Sequence, residues 1–422
     1  MTPTPSALPP SWKLDVAART LALDPRDPVF VNDPYPAYRA LHEQAPVFFW
    51  RDFGHWCFAR HDDVSALLRD RRFGRQILHV MSRAELGWPE PPAYLESFVA
   101  YERHALLELE PPEHTRMRTL VNRPFLTRVT ERLRPRLEAL AHELVDRFET
   151  RGEVELLENF ATPLPLLAIC DVLGVPASLA PQLLAWSHAM VAMYQARRDE
   201  ADERRAAQAS REFSACVHEL IAERRRSPGD DLLSALLTSA GDGDGLSDDE
   251  ATSTAMLFLI AGHEATVHGI GNGVKALLEQ RVDVRAAFAT HDAVARTAEE
   301  VLRFDTPLHL FTRYALEDTE VAGVRLERGE RIGLLLGAAN HDPTRFAAPH
   351  ELVPGRSPNP HVSFGGGIHF CVGAPLARLE LQVALPVLFE RLTGLSLAAR
   401  PRYRDTYHFR GLEALALRWA VR

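Results

Sequence analysis

His361-Val362-Ser363-Phe364-Gly365-Gly366-Gly367-Ile368-His369-Phe370-Cys371-Val372-Gly373-Ala374 runs directly into the helical phrase Pro375-Leu376-Ala377-Arg378-Leu379-Glu380. Three consecutive glycines, then one cysteine and a further glycine, describe a backbone that passes close to something flat while presenting one sulfur to it. A buried thiolate is costly unless a metal neutralises it, and N–H groups at a helix N-terminus lower its energy further. The stretch therefore suits an axial thiolate ligand. Taken alone, it leaves open a tight turn around a buried structural cysteine.

Working outward, three more phrases bear on that choice. Glu300-x-x-Arg303 places an acid and a base one helical turn apart on one face, and Arg356 follows shortly before the glycine run. Thr252–Glu279 reads as the longest periodic segment and is apolar nearly all round near Met256-Leu257-Phe258-Leu259-Ile260, which predicts a buried helix. Within it stands Ala261-Gly262-His263-Glu264-Ala265-Thr266, where small residues allow close approach to a planar group. An acid there is expensive unless hydrogen-bonded or working with water. In Glu110-Pro111-Pro112-Glu113-His114-Thr115-Arg116-Met117-Arg118 the proline pair opens a helix that sets His114 and Arg118 four apart, able to reach one anion.

Phe364-x-x-Gly367-x-His369-x-Cys371-x-Gly373 resembles the haem-binding signature of the cytochrome P-450 superfamily. The other phrases stand in that family's order and spacing from about Asp33 to the C-terminus. The resemblance implies a mainly α fold with small β-sheets, as one large haem domain over residues 16–422 after a disordered tail at residues 1–15. It implies haem b (iron protoporphyrin IX) with Cys371 as the iron ligand, Phe364 and Gly373 beside it, and Ala261 against the macrocycle. His114, Arg118, Arg313 and His369 are then expected at the propionates. Glu300, Arg303 and Arg356 match the family's structural Glu–Arg–Arg triad.

On the same resemblance Glu264 is the acidic member of an acid–alcohol pair that handles dioxygen and protons. Ala265 departs from the pattern, since most relatives carry threonine there. Thr266, or a substrate hydroxyl with ordered water, is expected to supply the missing hydrogen bond; inefficient proton delivery is the other reading. His263 is given no catalytic part. Leu308, Leu310 and Phe409 are expected to face the substrate.

The implied activity is insertion of one oxygen atom of O2 into a C–H bond of an apolar or aromatic small molecule, by hydroxylation or oxidative dealkylation. A peroxide-using or radical-coupling enzyme on the same scaffold, and a non-catalytic haem sensor, are the alternatives. No dinucleotide glycine fingerprint or ferredoxin cysteine cluster is present, so electrons are expected from a ferredoxin and its reductase, or from a reductase domain absent from this chain. Arg116, Arg123 and Arg378 are the expected landing site for an acidic ferredoxin.

Composition is consistent with this. The chain has 422 residues, 46% hydrophobic and 25% charged, enough for a large core. A net charge of -9 with basic residues scattered among acidic ones argues against nucleic acid. The first residues lack a basic or apolar leader pattern, and no apolar run is long enough to cross a bilayer. A soluble, cytoplasmic monomer of the bacterial branch is expected. Cys57, Cys170, Cys216 and Cys371 are widely spaced with no CxxC pair, which argues against disulfides, zinc and iron–sulfur clusters.

Overall fold

A computed structural model describes residues 8–122, 130–195, 198–238 and 245–421. Helices dominate. They are α1 Pro28–Asn32, α2 Tyr35–Gln44, α3 His61–Leu67, α4 Glu96–His104, α5 Glu113–Asn122, α6 Arg134–Asp146, α7 Pro163–Leu173 and α8 Ala180–Val191. There follow α9 Glu200–Arg226, α10 Leu232–Thr238, α11 Asp248–Ala261, α12 Glu264–Glu279, α13 Val284–Ala287, α14 His291–Phe304, α15 Leu336–Ala339 and α16 Ala374–Arg391.

Among the described residues the main sheet has seven strands in the order β1 (Lys13–Asp15), β2 (Thr20–Ala22), β3 (Val47–Trp50), β4 (His55–Phe58), β10 (Arg331–Leu335), β7 (Leu310–Ala315), β5 (Phe73–Gly74). The early hairpin lies as its alternating aromatic residues predict, with Val47 opposite Phe58 and Trp50 opposite His55. A small hairpin joins β8 (Thr319–Val321) to β9 (Val324–Leu326). A three-stranded sheet gathers β11 (Ser396–Leu397), β12 (Ala416–Arg418) and β6 (Glu153–Glu155).

Two expectations are corrected. Of the tail expected at residues 1–15, positions 1–7 lie outside the described residues, but Lys13–Asp15 pair with Thr20–Ala22 as an edge strand. Ser11 Oγ also donates to Asp27 Oδ2 at 2.6 Å, so this part is tied down by backbone and side-chain bonds. The longest helix among the described residues is α9, not the segment around Met256. The latter is two helices, α11 and α12, interrupted at Gly262-His263.

Both long helices start where their sequence closes a capping box. Ser247 and Glu250 satisfy each other's backbone N–H groups at α11, and Asp199 and Asp202 do so at α9. Ala251 to Ile260 are all buried, as an all-round apolar helix must be. The core helices α12, α14 and α16 pack on one another, α9 packs on α8 and α11, and α6 lies against α16.

The Glu–Arg–Arg triad forms and ties α14 to the glycine run. Arg303 and Glu300 are fully buried; Arg303 Nε and Nη2 each donate to Glu300 at 2.7 Å. Arg356 Nε donates to both oxygens of the same carboxylate at 3.0 Å. Arg303 also donates to the carbonyls of Asn340, Pro349 and Glu351. Asn340 Nδ2 in turn donates to Ser363 Oγ, and the Val362 N–H donates back to Asn340 Oδ1, each at 2.9 Å.

Candidate active site

The glycine run bends as its composition requires. Gly365 and Gly367 have φ of +70° and +67°, a region other L-residues rarely adopt, and a Cβ on Gly367 would come within 2.3 Å of the Leu68 carbonyl. The turn delivers Cys371 to the start of α16, its N–H donating to the Phe364 carbonyl at 3.0 Å. Burial pushes the Cys371 thiol up, while N–H groups of Gly373 and Ala374 and the charges of Arg118 and Arg378 pull it down. Cys371 keeps solvent-accessible surface although protein atoms crowd around its thiol, so the residue borders a cleft. Burial outweighs the others, so in the protein alone the thiol is held up; a bound metal is what would make it a thiolate.

Glu299 lies among the residues that brace the loop. It accepts from Arg378 Nε at 2.7 Å and Nη2 at 3.0 Å, and lies 3.1 Å from His361 Nε2. Burial works to raise Glu299, but His361 and Arg378 outweigh it and hold the carboxyl at about 2. The Arg378 guanidinium stacks 4.6 Å above the Phe364 ring. Of the three arginines expected to receive a ferredoxin, Arg378 is thus paired with Glu299, Arg116 is paired with Glu250, and Arg123 lies outside the described residues. Counting basic residues cannot reveal that the charges of Arg378 and Arg116 are already matched.

Around the cleft the anion-binding candidates converge. His114 is 1% exposed, and neither of its ring nitrogens has a hydrogen-bond partner. Burial first, then His369 and Arg118, push it down to about 4. Its ring lies 4.5 Å from that of His369, whose Nε2 is 3.4 Å from Glu110 Oε1. Arg313 is buried on β7; its Nη1 donates to the Thr312 carbonyl, and burial lowers it to about 10. Arg118, expected to share an anion with His114, sends Nη2 to the Phe370 carbonyl at 2.7 Å and so also braces the cysteine loop. Buried ring nitrogens without partners and a buried guanidinium bonded to its neighbour's carbonyl are the donor set that haem carboxylates need. The residues fit the cofactor.

The helix break between α11 and α12 carries the acid. Gly262 caps α11 and Glu264 opens α12. Ala261 is exposed immediately after a fully buried run. Three histidines surround the Glu264 carboxylate: His188 of α8 lies 3.5 Å and His263 3.7 Å from Oε2, and His268 lies 3.6 Å from Oε1. Burial works to raise Glu264, yet the histidines hold it at about 2.

Ala265 offers no hydroxyl. Thr266, expected as a substitute, is buried towards Glu380 of α16. Its hydroxyl approaches that carboxyl, whose oxygens have no well-aligned partner, and burial raises Glu380 to about 8. The reason is helical geometry: adjacent residues face different directions, so Thr266 cannot take the position of residue 265.

The substrate-facing candidates divide. Leu308 and Phe409 are half-buried and bridge one another across an isolated β-pair. Phe409 is steered by a network no sequence motif announced. Asp305 accepts from Arg410 Nε at 2.6 Å, from Tyr35 Oη at 2.7 Å and from Tyr403 Oη, while Asn272 Nδ2 of α12 donates to the Arg410 carbonyl at 2.9 Å. Leu310 is a correction: it is 5% exposed and packs in a second core with Tyr38, Trp50 and Leu335. Strand alternation sends Leu310 and Phe311 to opposite faces, and it is the Phe311 ring that reaches the glycine run at Gly365.

No helix among the described residues is long and apolar enough to cross a membrane. Residues 293–397 match the family model described as cytochrome P450. The chain is 34% identical over 405 residues to the polyketide biosynthesis cytochrome P450 PksS of Bacillus subtilis, covering 94% of this chain and 98% of that one. It is 37% identical over 395 residues to 6-deoxyerythronolide B hydroxylase of Saccharopolyspora erythraea, covering 92% and 96%. Among solved structures, P450BioI bound to a hexadec-9Z-enoic acid ligated acyl carrier protein superposes with a TM-score of 0.85 at 33% identity, over 93% of this chain and all of that one. With a cysteine held at the start of α16, a donor set for haem carboxylates and similarity to such enzymes over more than nine-tenths of its length, this chain belongs to the cytochrome P450 family and is a haem-thiolate monooxygenase.

Proposed function

We propose that the enzyme binds haem b and hydroxylates large, mainly apolar molecules that themselves carry hydroxyl groups, of the macrolide polyketide class, using electrons from a ferredoxin and its reductase. The observation that carries this reading is the pairing of an ionised acid, Glu264, with Ala265, a residue that has no hydroxyl of its own. A hydroxyl is still needed there to steady a hydrogen bond, and with Thr266 turned to α16 it falls to the substrate or to ordered water. Relatives named for such substrates point the same way, among them 6-deoxyerythronolide B hydroxylase and the mycinamicin IV hydroxylase/epoxidase of Micromonospora griseorubida.

Haem supplies dioxygen activation when bound. Cys371 would hold the group through its sulfur, and a thiolate there would supply it with electron density. His114, His369 and Arg313 would hold its carboxylates. Glu264 carries protons into the cleft from α12, where a helix N-terminus favours its charge. Leu308 and Phe409 exclude water and seat the apolar body of the substrate. The sequence has no C-x-x-C-H motif for covalent attachment, which supports haem b.

Optical titration of the holoenzyme with 6-deoxyerythronolide B, testosterone and myristic acid tests the substrate class. The expected result is a low-spin to high-spin shift at the lowest concentration for the macrolide. A shift given only by myristic acid would replace this reading with a fatty-acyl one.

A further inference from the structure

We propose that Arg75 is a specificity-determining residue: it donates a hydrogen bond to an uncharged oxygen of the substrate, a ketone, ester or hydroxyl, and with its acidic neighbours it turns a carboxylate away. The inference deepens the reading of the enzyme as one that takes oxygen-bearing apolar molecules, and rests on it.

Arg75 follows β5, which pairs with β7 so that Gly74 stands opposite Tyr314, the neighbour of Arg313. The Arg75 N–H donates to Glu110 Oε1, and its Nη2 donates to Glu108 Oε1 at 3.0 Å. The side chain keeps 19% of its surface although protein crowds around the guanidinium, so the residue borders a cleft. Its charge bears on Arg313, at the carboxylate-binding end, and on His408, whose ring stands perpendicular to that of Phe409 at 4.7 Å. Arg75 therefore lies between the haem carboxylates' donors and the turn that carries a substrate-facing ring.

Its donors are not used up. Among the described residues Glu108 is the one side chain to which the guanidinium donates, and Nε is buried with no partner. A guanidinium has five N–H groups, and a buried one left unmet costs free energy that an arriving acceptor recovers. The fork can keep Glu108 on Nη2 while another N–H meets a ligand oxygen.

The surroundings decide which acceptor fits. Glu102 of α4 lies near the pair; burial first, then Glu108, push its carboxyl up to about 7 against Tyr194, Arg75 and Arg198. Tyr194, in the turn after α8, approaches Glu102 and Tyr101, and its ring lies 6.2 Å from that of Phe98. Glu108 already balances Arg75, and the raised carboxyl of Glu102 reports how costly a second negative charge is here. A substrate carboxylate would be a third acid in an enclosed space. A substrate cation would instead face the guanidiniums of Arg75 and Arg313. An uncharged oxygen takes the free donor and adds no charge.

Optical titration of the holoenzyme with three probes of one chain length tests this: methyl myristate, myristate and tetradecyltrimethylammonium. The parent is expected to bind the ester about tenfold or more tightly than either ion. Arg75→Met should weaken the ester about tenfold or more, the loss of one hydrogen bond to a charged donor. Glu108→Gln leaves Arg75 an acceptor without charge, and should tighten myristate about tenfold while the ester changes less than about threefold. Haem release from Arg75→Met should match that of the parent.

A parent that binds either ion as tightly as the ester would overturn the assignment without any variant. So would an ester affinity untouched by Arg75→Met, myristate binding unmoved by Glu108→Gln, or haem release quickened about tenfold by Arg75→Met, which would make a haem carboxylate the ligand of Arg75. Titration with 6-deoxyerythronolide B separates the two levels. If the macrolide does not bind while the ester is preferred and depends on Arg75, the macrolide class fails and the role of Arg75 stands; if the macrolide binds while the ester is not preferred, only the role of Arg75 fails.

Discussion

Arg356 Nε and the two oxygens of Glu300 meet at 3.0 Å, joining residues 56 positions apart. With Arg303 on the same carboxylate, and Asn340 and Ser363 continuing the chain of bonds, the lock fixes where the cysteine loop begins. Arg303→Ala would leave a fully buried carboxylate and three carbonyls with fewer donors. A loss of about 3–5 kcal/mol is expected in urea unfolding, together with poor haem incorporation. Arg356→Ala, whose Nη bonds are nearer the surface, is expected to cost less. Equal and small losses for both would contradict the lock.

Haem retention should depend on residues whose buried donors are otherwise unmet. Each charge-assisted bond to a carboxylate contributes about 1.5–3 kcal/mol, roughly tenfold to a hundredfold in haem release. His114→Phe and Arg313→Leu should therefore speed transfer of haem to an acceptor apoprotein. Rates within experimental error of the parent would remove these residues from the propionate site.

Glu380 gives a pH dependence of known sign. Its carboxyl, buried in α16, is raised to about 8 from an ordinary 4.5. Between those values the folded protein binds the proton more tightly than the unfolded chain, so this group's contribution to stability falls as pH rises from about 4.5 to about 8. Glu380→Gln removes that dependence. The variant should be more stable than the parent at neutral pH, by an amount growing by about 1.4 kcal/mol per pH unit across the window. Denaturation curves at pH 5, 6, 7 and 8 check this; a constant difference would refute it.

Much of this site could be read from the sequence because its chemistry needs fixed local spacing. The glycine run, the cysteine and the Glu-x-x-Arg turn act through neighbours in the chain, and Arg303 pairs with Glu300 as their spacing implied, whereas Arg356 was expected only from the family resemblance. What escaped sequence reading is long-range. His188 meets Glu264 only because α8 packs beside the helix break. Arg378 is neutralised by Glu299 from another helix, and Phe409 is placed by an Asp305–Arg410 pair at 2.6 Å. Leu310 and Thr266 were misjudged for a simpler reason: a motif names residues, but strand alternation and helical rotation decide which way they point. The strand at Lys13–Asp15 was missed because a short edge strand among turn-forming residues has almost no periodicity to detect.

Ala265→Thr examines whether the hydrogen bond beside Glu264 comes from substrate or water. On the proposed reading substrate or water makes that bond in the parent, so product formed per reduced cofactor consumed should change by no more than about twofold with a hydroxyl-bearing substrate. A large rise would mean that proton delivery in the parent is inefficient.

The central claim is that Cys371 ligates haem iron as a thiolate. Purified holoenzyme, reduced and exposed to carbon monoxide, should show the strongly red-shifted Soret band of a thiolate-ligated haem, and Cys371→Ser should abolish it. A parent spectrum without that band, or a serine variant that retains it, would contradict the account.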